Sequence, residues 1–174
     1  MFTKEDYEAR IKELKELKSA VVLDADPTAK GLKTFNEKLA FIQSSRERIA
    51  ELVLEAIWNK NEAQVTHDTV EAIYEKKVSQ TVSSNPDVMS LKSADLRKAK
   101  TDDLLNVELS TVQQASIDLL YADSFYKSVQ VIDKLYDVKN NNLLQQIFTV
   151  RMMTNIDPAL RDELKIQMRT QADE

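Results

Sequence analysis

The sequence predicts an all-α protein, an elongated helical bundle of long antiparallel, coiled-coil-like helices followed by two short C-terminal helices. Three observations carry that expectation. First, one glycine and three prolines in 174 residues leave little material for tight turns, which draw on Gly, Pro, Asn and Asp for their backbone angles. Second, every proline follows an Asx residue, at Asp26-Pro27, Asn85-Pro86 and Asp157-Pro158. An Asx side chain at N-cap accepts a free backbone N–H, and proline in the first turn removes another N–H that has no partner, so the pair marks a helix start. Third, apolar residues recur at steps of three and four over long stretches, the spacing of one helical face.

A first helix is expected from about Lys4 to Val22. Thr3 and Asp6 have the spacing of a capping box, and Tyr7, Ile11, Leu14, Leu17 and Val21 form its stripe. A second helix, from Pro27 to Lys60, shows the clearest heptad: Leu32, Phe35, Leu39, Ile42, Arg46, Ile49, Val53 and Ala56 alternate by three and four. At ~1.5 Å per residue it spans about 50 Å. Arg46 interrupts that seam, where it either fixes register or snorkels. A third helix, Thr66 to Val82, carries Val70, Ile73, Tyr74 and Val78.

After the helix start at Asn85-Pro86, the stretch from Ser93 to Val138 holds neither Gly nor Pro and reads as one long helix. Its stripe runs through Leu96, Leu105, Leu109, Val112 and Leu119, then shifts phase to Ala122, Phe125, Val129, Ile132 and Tyr136. The phase drift implies a bend or a change of packing partner. The run "KNNNLL" reads as a break, because Asn is a poor helix former and a good cap. Short helices are expected at Leu143–Met153 and Pro158–Gln171. The domain reading is a long-helix body over residues 1–142 with a C-terminal appendage over 143–174.

Composition removes several function classes. No cysteine is present, which excludes disulfides, thiolate metal sites and cysteine nucleophiles. No apolar stretch approaches the ~18 residues of a membrane span. The opening "MFTKEDYEAR" is charged at once, unlike a signal peptide, and a cytoplasmic setting is expected, or a virion for a phage protein. A net charge of −5 disfavours a non-specific nucleic-acid coat, whose affinity comes from neutralised phosphates.

Catalytic chemistry finds little support. His67 is the single histidine; with Glu71 it makes an i, i+4 pair, but no second His and no Cys completes a metal shell. A surface or capping role is the expectation, with no metal, no cofactor and no enzymatic activity. Asp102 and Asp103 are adjacent, so on a helix they point about 100° apart and solvate it rather than share a proton. Tyr121, Phe125, Tyr126 and Tyr136 cluster on the longest helix, at a spacing that reads as core.

Two basic features remain as contact candidates for nucleic acid or an acidic partner. Lys92, Arg97, Lys98 and Lys100 fall in the decapeptide "LKSADLRKAK", although at 100° per residue they spread around much of a helix. Arg161, Lys165 and Arg169 recur every four residues beside Leu160, Leu164 and Met168, an amphipathic helix with one basic flank. A solvated helix face is the competing reading for both.

The segments "KKVSQTVSSNPDVMSLKSADLRKAK" and "KSVQVIDKLYDVKNNN", within residues 76–142, together resemble phage recombination mediators of the UvsY type. The shared elements are an Asx-Pro-acidic helix start, an adjoining Lys/Arg-rich turn and a following amphipathic helix. The resemblance implies a helical oligomer that binds single-stranded DNA while loading a recombinase, with Lys92, Arg97, Lys98 and Lys100 as the DNA contacts. "KNNNLLQQI" stands where that family carries an Arg-aromatic-x-Ile-Lys stretch. The leading expectation from the residues themselves is a non-enzymatic helical interaction protein, an assembly, structural or adaptor component. It would act through coiled-coil self-association or by docking a partner helix, with Leu32, Phe35, Leu39, Ile42, Ile49, Val53, Phe125, Val129, Ile132 and Tyr136 as its packing seam.

Overall fold

In sequence order the chain forms α1 (Lys4–Ala20), α2 (Leu32–Ser84), α3 (Pro86–Met89), α4 (Ala94–Leu104) and α5 (Asn106–Ile156). The structure, a computed structural model, describes residues 2–20 and 32–156. Among them every element is helical and the fold is all-α. The expected starts at Pro27 and Pro158, and the basic residues Arg161, Lys165 and Arg169, lie outside the described residues.

Local capping explains two of the starts. Thr3 donates its backbone N–H to the Asp6 carboxylate at 2.9 Å, and Asp6 N–H donates back to Thr3 Oγ1 at 3.3 Å, a reciprocal pair at the head of α1. The Thr3 N–H and the Thr3 hydroxyl, both donating to it, hold the Asp6 carboxyl below its usual pKa. Asn85 caps α3 by accepting the Asp87 N–H at 2.9 Å, with Pro86 in the first turn, as the Asx-Pro pattern implies.

The helix boundaries differ from expectation in three places. α2 does not end near Lys60 but continues to Ser84, taking in the expected third helix. The Asn- and Thr-rich stretch between them stays helical because its polar groups are satisfied along the helix. Thr66 and Thr69 donate to the carbonyls of Glu62 and Val65, and Gln64 bonds Asp68. A propensity deficit of up to ~0.7 kcal/mol per residue is then offset by packing, here around the buried Ala63. α5 likewise runs through "KNNNLL" without a break to Ile156, so Leu143–Met153 is not a separate helix. Leu143, Ile147 and Val150 are buried along one face of it, and that burial outweighs three Asn residues.

The third difference is a break where none was expected. Leu105 leaves the helical region at φ −109°, ψ 28°, dividing the long element into α4 and α5. Thr101, almost wholly buried, donates its hydroxyl to the Arg97 carbonyl at 2.8 Å in the last turns of α4. Separation of α4 also explains why Leu96, assigned to the long stripe, is exposed.

The chain divides into two compact units. One comprises Met1–Arg10 and Glu55–Lys127, and the other Ile11–Leu54 and Ser128–Glu174. In the first unit the buried set is small-residue-rich: Ala56 and Ala63 on α2, Ala115 and Ala122 on α5, with Phe125 stacked on Phe2 at 5.3 Å. Its helices are antiparallel. One heptad along α2, from Lys60 to His67, corresponds to one heptad back along α5, from Asp123 to Ser116.

The second unit buries more of the large side chains. Phe35, Ile42, Ile49 and Leu52 on α2 and Val129, Ile132, Tyr136 and Leu143 on α5 are buried with Leu14 of α1. Each contributes ~1.5–3 kcal/mol of transfer free energy before entropy. Tyr136 Oη donates to the Leu17 carbonyl at 2.8 Å and Lys139 Nζ to the Lys18 carbonyl at 2.9 Å. Both cap carbonyls in the last turn of α1, groups that have no intrahelical partner.

On α2 one of the two alternating positions of the expected seam is shifted by one residue. Phe35, Ile42 and Ile49 are buried, but the intervening positions are Ser45 and Leu52 rather than Arg46 and Val53. Leu39 and Val53 are half-buried flanks, and Leu32 opens the helix with its side chain outside the described set. Arg46 sits beside the seam and binds Asp137 at 2.6 Å, so it flanks the core without interrupting it. On α5 the expected residues Phe125, Val129, Ile132 and Tyr136 are all buried.

Candidate functional site

The described surface offers one groove that unites residues singled out by sequence. It lies within the first unit, between the C-terminal part of α2 and the N-terminal part of α4, with a volume of about 730 Å³. α2 presents Tyr74, Glu75, Val78, Ser79 and Val82, an i, i+4, i+8 face two turns long. α4 presents Ala94, Arg97, Lys98 and Thr101, with Lys92 from the preceding turn and Asp102 at the end.

Lys92, Arg97 and Lys98 therefore converge on a single groove, although their helical angles alone would scatter them. The convergence arises because Lys92 belongs to the turn before α4, not to the helix. Arg97 ties that turn down by donating its Nε–H to the Leu91 carbonyl at 2.6 Å. Lys100, expected with them, instead pairs with Asp103 at 3.7 Å and does not line the groove.

Several basic residues elsewhere on the helices are paired: Arg10 with Glu55, Arg48 with Glu13 and Glu51, Lys60 with Asp123, Lys77 with Glu108. Among the described residues, Lys92, Arg97 and Lys98 have no carboxylate partner. The groove also holds two carboxylates, Glu75 and Asp102. Asp102 accepts the Tyr74 phenol at 2.7 Å, and this hydrogen bond pushes the phenol pKa up to about 12. The phenol is thus a fixed donor, and the Asp102 charge is partly spoken for.

His67 lies on α2 in the same unit. Its Nε2 meets Ser116 Oγ at 3.1 Å, while Nδ1 stands 3.3 Å from Asp68 and 3.7 Å from Glu71. Asp68 thus joins the expected His67–Glu71 pair, and the three ligand atoms lie within 4.8 Å of one another. Asp68 and Glu71 are exposed, and of the two only Asp68 lies within hydrogen-bond distance of the imidazole. Tyr121 packs on Tyr7 at 5.3 Å, and Tyr126 lies under the Lys60 ammonium at 4.8 Å. The aromatic cluster is engaged within the fold.

A second surface was not singled out from sequence. On α2, Trp58 is 71% exposed and Val65 66% exposed. They lie a heptad apart with Ala72 a heptad further, and each is about 200° around the helix from the buried Ala56 or Ala63. Ile73, expected in the core stripe, is also exposed and lines a shallow groove with Val65 and Ala72. In the second unit Val131 and Val138 of α5 repeat the motif, exposed at heptad spacing. The signal was present in the sequence as "ELVLEAIWNK", apolar around more of the helix than one seam requires.

No helix is long and apolar enough to cross a membrane among the described residues. Comparison with family models, with curated proteins and with solved structures finds no match to this chain.

Proposed function

We propose that this chain is a non-enzymatic interaction protein that works by helix-to-helix association, an assembly or adaptor component rather than a catalyst. The observation that supports this reading is the second apolar stripe of α2. One face of the helix is packed in the core of its unit, while Trp58, Val65 and Ala72 repeat at heptad spacing on the opposite face. A solvated helix has no use for an exposed Trp and Val in register. A helix with two apolar faces packs two partners, and aromatic anchors dominate such contacts.

The test is the solution mass by light scattering across a concentration series. The 19.9 kDa chain is expected to form a discrete oligomer whose mass falls toward that of one chain in the Trp58→Glu, Val65→Glu double variant. Both positions are exposed, so the variant keeps its helicity. A single-chain mass at every concentration refutes association between copies.

A second reading is single-stranded DNA binding of the recombination-mediator kind. Its support is the convergence of Lys92, Arg97 and Lys98 on one groove. It predicts oligonucleotide affinity that falls steeply with salt. Neutralising Lys92, Arg97 and Lys98 should then weaken binding far more than neutralising Lys4, Lys12 and Lys15 of α1; equal effects sink it.

A further inference from the structure

The groove between α2 and α4 has a more specific chemistry than a phosphate track. Its apolar lining is Val78 and Val82 of α2 with Ala94 of α4. Its α4 side carries Lys92, Arg97 and Lys98, none neutralised by a described carboxylate. Two neighbouring helices each expose a face about two turns long, and the space between two such faces accepts a third helix. Elsewhere in the same unit that kind of position is filled from within the chain: Phe2 and Tyr7 meet Phe125 and Tyr121 of α5, and Arg10 meets Glu55 of α2.

We infer that this groove docks an amphipathic helix of a partner protein, two to three turns long, whose apolar face covers Val78 and Val82 and whose acidic edge meets Lys92, Arg97 and Lys98. The inference rests on the helix-docking reading above and names the partner's chemistry. Charge complementarity selects this occupant. Three cations beside apolar lining residues match a helix with acids along one edge, a recurrent mode of peptide recognition. Glu75, on the opposite helix, adds selectivity by repelling a ligand that is acidic on both edges.

Nucleic acid fits less well. Affinity for a phosphate backbone comes from the phosphates that cations neutralise, and here Glu75 and Asp102 offset part of the positive charge. Base stacking needs a free aromatic face, whereas Tyr74, the aromatic residue of the groove, is half-buried with its hydroxyl committed to Asp102.

Fluorescence anisotropy on the full chain tests the assignment with three labelled probes. One is a short helical peptide with Leu along one face and Glu along one edge. The second is its twin with Lys in place of Glu, and the third is an oligothymidylate. The acidic peptide is expected to bind at least ten-fold more tightly than the Lys twin. Lys92→Ala with Lys98→Ala should weaken it about five-fold, as two lost surface ion pairs imply. Val82→Gln should weaken it without changing its salt dependence. Arg97 is left in place because it holds the Leu91 carbonyl, and circular dichroism checks that each variant stays helical.

Equal affinity for the two peptides overturns the inference. So does oligothymidylate binding that Lys92→Ala with Lys98→Ala abolishes, because the groove would then be a nucleic-acid site. Absence of binding by all three probes also overturns it. The light-scattering result with Trp58→Glu, Val65→Glu does not involve this groove, so the general reading and this one fail separately.

Discussion

Replacement of Phe125 by Ala tests whether the aromatic layer of the first unit is a main source of its stability. Phe125 is fully buried and stacks on Phe2, ring centroids 5.3 Å apart and planes inclined by 16°. Losing the ring forfeits its transfer free energy and leaves a cavity, together about 3–5 kcal/mol. Of that, the ring–ring contact accounts for ~0.5–1.5 kcal/mol. A double-mutant cycle with Phe2→Ala isolates the contact, since Phe2 is itself 6% exposed. The control is Val131→Ala, because Val131 is 64% exposed and surface changes of this kind stay within about 0.5 kcal/mol. Urea unfolding followed by far-ultraviolet circular dichroism is the assay. Trp58 is too exposed in the folded state to report unfolding by fluorescence. With a slope of ~2 kcal/mol per molar urea, a loss of about 3 kcal/mol lowers the midpoint by ~1.5 M. A midpoint change below about 0.5 M, or an equal change for Val131→Ala, refutes the reasoning.

Leu52→Ala should cost about 2–5 kcal/mol and Val53→Ala markedly less, because Leu52 is fully buried and Val53 only half-buried; the reverse order in urea unfolding would restore the other seam phase. The Tyr74 phenol should titrate at about 12 because of its hydrogen bond to Asp102. A raised folded pKa contributes stability that is fully present below the unfolded value of ~10 and is lost as pH rises through the folded one. Ultraviolet difference titration of Asp102→Asn should show the phenol returning toward ~10, and an unmoved phenol would discount the contact. Asp123 is held below the usual carboxylate range by Lys127 and Lys60, so its contribution is present above the unfolded pKa of ~3.9 and is lost as pH falls through the folded value. In Lys60→Gln with Lys127→Gln, carboxylate resonances followed by NMR should titrate higher, and an unchanged Asp123 would contradict the pairing.

The all-α class and the local starts were legible in the sequence because they depend on neighbouring residues alone. Thr3 and Asp6 cap α1, and Asn85 with Pro86 opens α3, through hydrogen bonds spanning two or three residues. The α5 core residues Phe125, Val129, Ile132 and Tyr136 were also readable, since a single apolar stripe passes through them. The seam phase of α2 was not. Leu52 and Val53 are both apolar, so periodicity admits either, and the choice falls to the helix packed opposite. The polar Ser45 takes a buried place that no pattern of apolarity assigns.

The same division holds for the lengths of the helices and for the candidate site. The run "KNNNLL" reads as a break because intrinsic propensity disfavours Asn in a helix, and the end expected near Lys60 was likewise a local reading. Burial of Ala63 and of Leu143, Ile147 and Val150 overrides that preference by contacts distant in sequence. Lys92, Arg97 and Lys98 were visible as basic residues but not as neighbours, because the turn before α4 has no helical periodicity to place them. Their meeting with Val78 and Val82 joins segments separated in the chain. Composition and local hydrogen bonding determined that this chain is helical and where two of its helices begin. Packing between distant segments decided how far the helices run, which face of α2 is core, and that three cations share one apolar groove.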